Sequence, residues 1–255
     1  MTRRCLEDIR RSDALVLATH LFENRVATVS ALTRMGPLKA FRAELWEMSV
    51  MRKPVTWRSL ENLGRVRLSE NFFMRDFLFS EVAAMHGFSN VPEDPDVAIA
   101  AGKGLCETLL EPLQETFGRI AVRSSYRSPQ VNRFGNENGM NCARNEANYG
   151  HHIWDRRDAD GRLGATASIV IPWFADRYAA GADWRGLAWY IHDHLPYHSQ
   201  WFFPKLAALN LQWREEPEGR IDSYIRPRGC LTKPGMGNHS GRHEEWYQDF
   251  PAFKG

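Results

Sequence analysis

The stretch Arg123-Ser-Ser-Tyr-Arg-Ser-Pro-Gln-Val-Asn132 places two guanidiniums, several hydroxyls and an amide directly after a short apolar strand pattern, Ile120 and Val122. A guanidinium is planar and holds a carboxylate through two parallel hydrogen bonds, which a lysine cannot copy. Arg123 and Arg127, with Ser125, Tyr126, Ser128 and Asn132 beside them, therefore make a candidate substrate grip for a small carboxylate or peptide end. A purely structural use competes with it. Ser128 before Pro129 is a good helix N-cap, and Arg127 can anchor the Asn-rich loop that follows.

A second constellation is His151-His152-Ile-Trp-Asp155-Arg-Arg-Asp158. Imidazole plus carboxylate is a common zinc or iron shell, so His151, His152, Asp155 and Asp158 are candidate metal ligands, with His198 the nearest further histidine. The alternative is a polar turn in which one histidine bonds the loop. His192 and His194, two apart near a helix end, point to different sides and suit a structural role better. His239 and His243 are spaced for a helical clamp, but Gly237 and Gly241 disfavour the helix. Phosphate-binding glycine loops and a Gly-x-Ser-x-Gly elbow are absent, which argues against nucleotide and serine-hydrolase chemistry.

Composition sets outer limits. The chain has 255 residues, 43% hydrophobic and 25% charged, enough for a sizeable core. A net charge of +2 without basic clusters gives no footprint for nucleic acid. Cys5, Cys106, Cys142 and Cys230 are scattered without a Cys-x-x-Cys pair and read as reduced thiols. No segment reaches the roughly 18 apolar residues of a membrane span, so the expectation is a soluble, cytoplasmic protein without a membrane partner.

The elements that must hold these residues follow from periodicity. Residues 12–52 show helical spacing broken at Gly36-Pro37, and residues 1–66 read as an N-terminal helical extension. Asp94-Pro95 opens an amphipathic helix that Gly118 closes. A strand spans 119–124, a short helix runs from Ser128-Pro129 to Phe134, and residues 135–150 read as a loop. Gly164-Ala-Thr-Ala-Ser-Ile-Val-Ile171 reads as a buried strand, with helices at 172–180 and 183–195. Strands follow at 199–203, 209–214 and 221–225. The expected architecture is an α+β domain over 67–226, a small mixed or antiparallel sheet with flanking helices, and a Gly-rich tail over 227–255 packed on its surface.

With these residues assembled, the chain resembles the M15 peptidases, the D-Ala-D-Ala carboxypeptidase or Hedgehog-like fold. Leu68-Ser-Glu-Asn-Phe with Arg75-Asp-Phe77 is similar to that family's opening Leu-Ser-x-x-Phe segment. Residues 123–132 are close to its Ser-Gly-Tyr-Arg-Ser-Pro-x-Val-Asn signature, and Gly164-Ala-Thr-Ala-Ser-Ile-Val resembles its Gly-x-Ala-x-Asp-Ile strand. The resemblance covers roughly 68–217. It implies a zinc hydrolase acting on a small peptide or amide, with His151 or His152 as the first ligand and iron or copper as alternative metals. Departures accompany the matches. Ser168 stands where the family's aspartate would, unless Asp158, seven residues after His151, keeps the spacing. The late strand Leu209-Asn-Leu-Gln-Trp-Arg-Glu carries no histidine, and Glu215 and Glu216 are the carboxylates nearest the position of the catalytic glutamate. Arg214 in the site would repel a dication. Loss of catalysis with retention of binding is the alternative expectation.

Overall fold

The structure is a computed structural model that describes residues 51–255. The helical reading of residues 12–52 falls almost wholly outside the described residues. The described part forms one compact unit, Met51–Gly255, a mixed α/β fold in which helices flank a six-stranded mixed sheet.

Strands β1 (Ala121–Ser124), β2 (Gly164–Val170), β3 (Ser199–Phe202), β4 (Leu209–Arg214), β5 (Arg220–Ser223) and β6 (Gly229–Thr232) lie in the order β1-β2-β4-β3-β5-β6. Only β3 and β5 run parallel. Successive strand side chains point to opposite faces. Ala165, Ala167, Ile169, Leu209, Leu211, Phe202 and Ile221 are accordingly all sealed in the core. The intervening positions Thr166, Ser168, Asn210, Gln212, Arg214, Ser199 and Trp201 make the other face.

The core face is covered by helices. Trp57–Gly64 (α1) opens with a capping box between Thr56 and Ser59, and Leu63 on its last turn is fully buried. This places residues 57–66 in the domain rather than in an N-terminal extension. Glu81–His86 (α2) follows. Asp94 caps Pro95–Leu105 (α3), accepting from the Val97 N–H at 3.2 Å. A π-turn at Cys106–Leu110 joins it to Glu111–Phe117 (α4), which ends at Gly118 with φ +80°. Ala98, Ala101, Leu105, Leu109 and Leu113 have no exposure. Glycine allows α3 to approach closely: a Cβ on Gly104 would lie 2.4 Å from the Trp213 ring of β4.

Two short helices follow β1, Pro129–Glu137 (α5) and Asn145–Asn148 (α6). The segment read from sequence as a loop over 135–150 is thus partly helical. Its asparagines close it, since Asn132 Nδ2 donates to Asn145 Oδ1 at 2.9 Å and Asn148 Nδ2 to Asn132 Oδ1 at 2.6 Å. After β2 come Pro172–Ala179 (α7) and Trp184–His194 (α8). The last stretch is more ordered than its glycines imply. It supplies β6 and then packs Tyr247, Phe250 and Phe253 around Tyr190 of α8. His243 Nδ1 binds Asp193 Oδ1 at 2.7 Å, and His192 Nε2 meets the His239 carbonyl at 2.9 Å, so these histidines fasten the tail.

Gly104→Ala tests the helix-on-sheet contact. The added methyl must displace the Trp213 ring, at a cost of about 1–3 kcal/mol. The urea midpoint should fall at unchanged slope; an unchanged midpoint would mean that α3 does not sit so close to β4.

Candidate functional site

β1 ends at Ser124, and the five residues after it take different directions. Ser125 Oγ donates to the Thr166 carbonyl of β2 at 3.0 Å. Tyr126 turns inward against Trp154, with ring centroids 6.3 Å apart. Ser128 caps α5, accepting from the Val131 N–H at 3.4 Å, and its own hydroxyl donates to the Ser89 carbonyl at 2.9 Å. Asn132 joins the asparagine cluster, so four of the six residues of the sequence-derived grip are occupied in holding the loop. Asn90, which no sequence signal singles out, pins the same segment: its Nδ2 donates to the Leu78 and Tyr126 carbonyls and its Oδ1 accepts from the Ser128 N–H.

Arg127 is different. Its backbone N–H donates to the His152 carbonyl at 2.8 Å, which ties the two constellations together. Its side chain is half-buried, and Nη1 meets the Cys142 thiol at 3.4 Å. Among the described residues no carboxylate lies within ion-pair distance of this guanidinium, Glu81 acts on it from further away, and its unbonded nitrogens are not sealed from solvent. Burial lowers its pKa from the usual value. Arg123 is exposed on β1.

The histidines gather on the outer face of the sheet. His152 is buried, and its Nδ1 donates to the Ser125 carbonyl at 2.8 Å, leaving Nε2 with the lone pair. Burial, then the Arg127 charge, hold its pKa well below the ordinary value. His151 beside it is pushed down to about 3 by burial, by Arg214 and by His198. His198 binds the Glu216 carbonyl through Nδ1 at 3.1 Å, and burial and Arg214 lower its pKa too.

The turn carrying His151 is set by two glycines. Gly150 sits at φ +67°, and its carbonyl accepts from Gln212 Nε2 at 2.9 Å. A Cβ on Gly164 would lie 2.1 Å from that carbonyl and 3.0 Å from Arg214 Cγ, so only glycine at 164 lets the loop lie on the sheet. Asp158 anchors the far end, pairing with Arg214 Nη1 at 2.8 Å and accepting the Arg162 and Asp160 N–H groups. Burial opposes its ionisation, but those bonds and the Arg214 charge keep its carboxyl below the usual range.

Other sequence candidates lie apart. Asp155 is buried beside the Tyr126 hydroxyl without closing a hydrogen bond of good geometry to it, and accepts from the Glu93 N–H at 2.7 Å. Burial raises its pKa. Glu215 accepts from the Leu163 N–H at 2.7 Å, and Glu216 pairs with Arg162 at 2.8 Å, both exposed. The strand register puts Ser168 opposite Asn210, and the two side chains are hydrogen-bonded. A hydroxyl and an amide are poor zinc ligands. Asp158 is engaged by Arg214, and among the described residues no three His, Cys, Asp or Glu side chains group around a common point.

What the loop and strand ends gather instead is two guanidiniums, Arg127 and Arg214, and three histidines whose pKa values are lowered, with Asp158 paired to Arg214, Asp160 and Glu218 also acting on Arg214, and Glu81 acting on Arg127. Of the two cations, Arg127 is the one without an ion-pair partner among the described residues, which favours an anion at Arg127. Among the described residues, no helix is long and apolar enough to cross a membrane. Comparison of the chain with protein-family models, with curated proteins and with solved structures gives no match.

The low pKa of His151 has a consequence for stability. Its imidazole takes a proton near pH 6.5 once unfolded but only near about 3 when folded, so the unfolded chain binds more protons in between. The stability it contributes is present above pH 6.5 and is lost progressively as pH falls toward 3. His151→Gln should therefore lose less stability than the wild type between pH 6.5 and pH 5, measured by urea unfolding at both values. Nitrogen NMR of the folded wild type should show His151 neutral at pH 5; a charged ring there would contradict the assigned environment.

Proposed function

We propose that this chain is a divergent M15-peptidase-like protein that binds a small peptide or amide by its carboxylate, with Arg127 as the holding residue. One observation carries the reading. Arg127 is a half-buried guanidinium, open to solvent on its free nitrogens and without a carboxylate partner among the described residues. A desolvated cation is costly unless a counter-charge meets it, and a ligand carboxylate supplies two charge-assisted hydrogen bonds in the required plane. The low pKa values of His151 and His152 keep both rings neutral beside the cationic grip. The open lone pair on His152 Nε2 suits a donor such as a ligand amide N–H.

Binding rather than hydrolysis is the better-supported half of this reading, because Glu215 and Glu216 are engaged by Leu163 and Arg162, and Ser168 and Asn210 bond to each other. A second reading, hydrolysis with zinc at the histidines, draws on the closeness of His151 to His198. It requires one zinc per chain, lost in a His151→Ala, His152→Ala double variant; elemental analysis showing none would sink it.

Titration calorimetry with N-acetyl-Ala-Ala and with its C-terminal amide tests the binding reading. The acid should bind and the amide should bind about tenfold to a hundredfold more weakly, as should the acid to Arg127→Ala. Arg127→Lys should not restore full affinity, because an ammonium lacks the planar fork. Equal binding of acid and amide would refute the role of Arg127.

A further inference from the structure

The outer face of the sheet carries an aromatic shelf beside β3 and β5. Ser124 stands opposite Ser168, Ser168 opposite Asn210, Asn210 opposite Trp201, and Trp201 beside Asp222. Cross-strand partners share a face, so these residues form one row perpendicular to the strands. Ser168 and Asn210 are half-buried, and Trp201 is 37% exposed. The Trp201 ring packs on Tyr224 with centroids 5.3 Å apart, and Tyr224 on Phe203 at 5.5 Å. Tyr224 itself is 50% exposed. Three contiguous rings on a surface, at the end of a polar row, have the composition of a binding anchor rather than of a core remnant.

Geometry sets the length of a ligand that uses both features. Three strand steps separate Ser124 from Trp201, about 14 Å, and an extended peptide advances about 3.4 Å per residue, so this part of the span alone takes about four residues. The row is uncharged from Ser124 to Trp201 and then meets the Arg220–Asp222 ion pair, with Arg220 Nε 2.5 Å from Asp222 Oδ2. That pair bounds the shelf. Between the ends Ser168 Oγ donates to Asn210 Oδ1, which leaves the Asn210 Nδ2 group to meet a peptide carbonyl.

Resting on the reading of Arg127 as the carboxylate grip, we propose that the ligand is a peptide of about four residues or more. It runs from Arg127 across Ser168 and Asn210, and an apolar side chain seats on the Trp201–Tyr224 shelf. Trp201 and Tyr224 are then specificity-determining residues.

Calorimetry on the full chain with three N-acetylated peptides, Ala-Ala, Ser-Ala-Ala-Ala and Phe-Ala-Ala-Ala, tests this. The Phe peptide should bind about tenfold tighter than either of the others. Trp201→Ala should abolish that gain and leave Ala-Ala affinity unchanged, Trp201→Phe should keep most of it, and Tyr224→Ala should reduce it. Both aromatic residues are exposed, and thermal unfolding of each variant should match the wild type. Binding that needs Arg127 but ignores peptide length overturns the shelf and leaves the grip intact. Absence of binding by every peptide overturns the grip, and the shelf with it. A changed sedimentation coefficient in Trp201→Ala with unchanged peptide affinities makes the shelf a self-association surface and overturns the proposal.

Discussion

Burial of one face of the sheet under α3 and α8 is the constraint from which the rest follows. Ala165, Ala167, Ile169, Leu209 and Leu211 can leave water together only if every intervening side chain points the other way. That requirement alone aligns Thr166, Ser168, Asn210, Gln212, Arg214 and Trp201 on the opposite face. A slip of one residue between β2 and β4 would drive Asn210 and Gln212 into the core, so the register that builds the core also builds the polar face. Small residues make the arrangement compact, with Gly104 admitting the Trp213 ring on one side and Gly164 admitting the Gly150 carbonyl on the other.

The polar face is not simply solvated. A loop lies across its Arg214 end, held by Gln212 to Gly150 and by Asp158 to Arg214. Its His152 is joined to the β1 exit by paired bonds, Arg127 N–H to the His152 carbonyl and His152 Nδ1 to the Ser125 carbonyl. Backbone and imidazole hydrogen bonds are thus used to hold the loop, and they leave the Arg127 guanidinium unspent. The loop's bonds to the sheet and to the β1 exit thus use backbone carbonyls, Gln212 and Asp158, and not the Arg127 guanidinium.

Local patterns carried most of the elements. Asp94-Pro95 and Gly118 bracket a helical stretch because capping and φ restrictions act within a few residues, and the alternation of β2 follows from pleating. Residues 135–150 resisted the same reasoning, since their helices are short and depend on the Asn132–Asn145–Asn148 network, whose members meet only in three dimensions. β6 was hidden because four residues without a hydrophobic pattern become a strand only when β5 offers its edge. The site was legible in part. Arg127 and His152 are visible as residue types, whereas Asn90 and Cys142, which hold the segment and the guanidinium, carry no spacing signal.

By itself the sequence determined the α+β character, the apolar face of each element and the presence of a guanidinium beside a histidine pair, because these depend on periodicity and on side-chain chemistry. Tertiary structure decided which of those groups remain available. Asp155 and Asp158 look equivalent in the chain, yet one is buried beside Tyr126 and the other is paired with Arg214. Arg123 and Arg127 look like a pair, yet one lies exposed on β1 and the other is half-buried against the Cys142 thiol. The physical reason is that hydrogen bonding and burial are set by partners far away in sequence, and those partners are chosen only when the sheet and its covering helices come together.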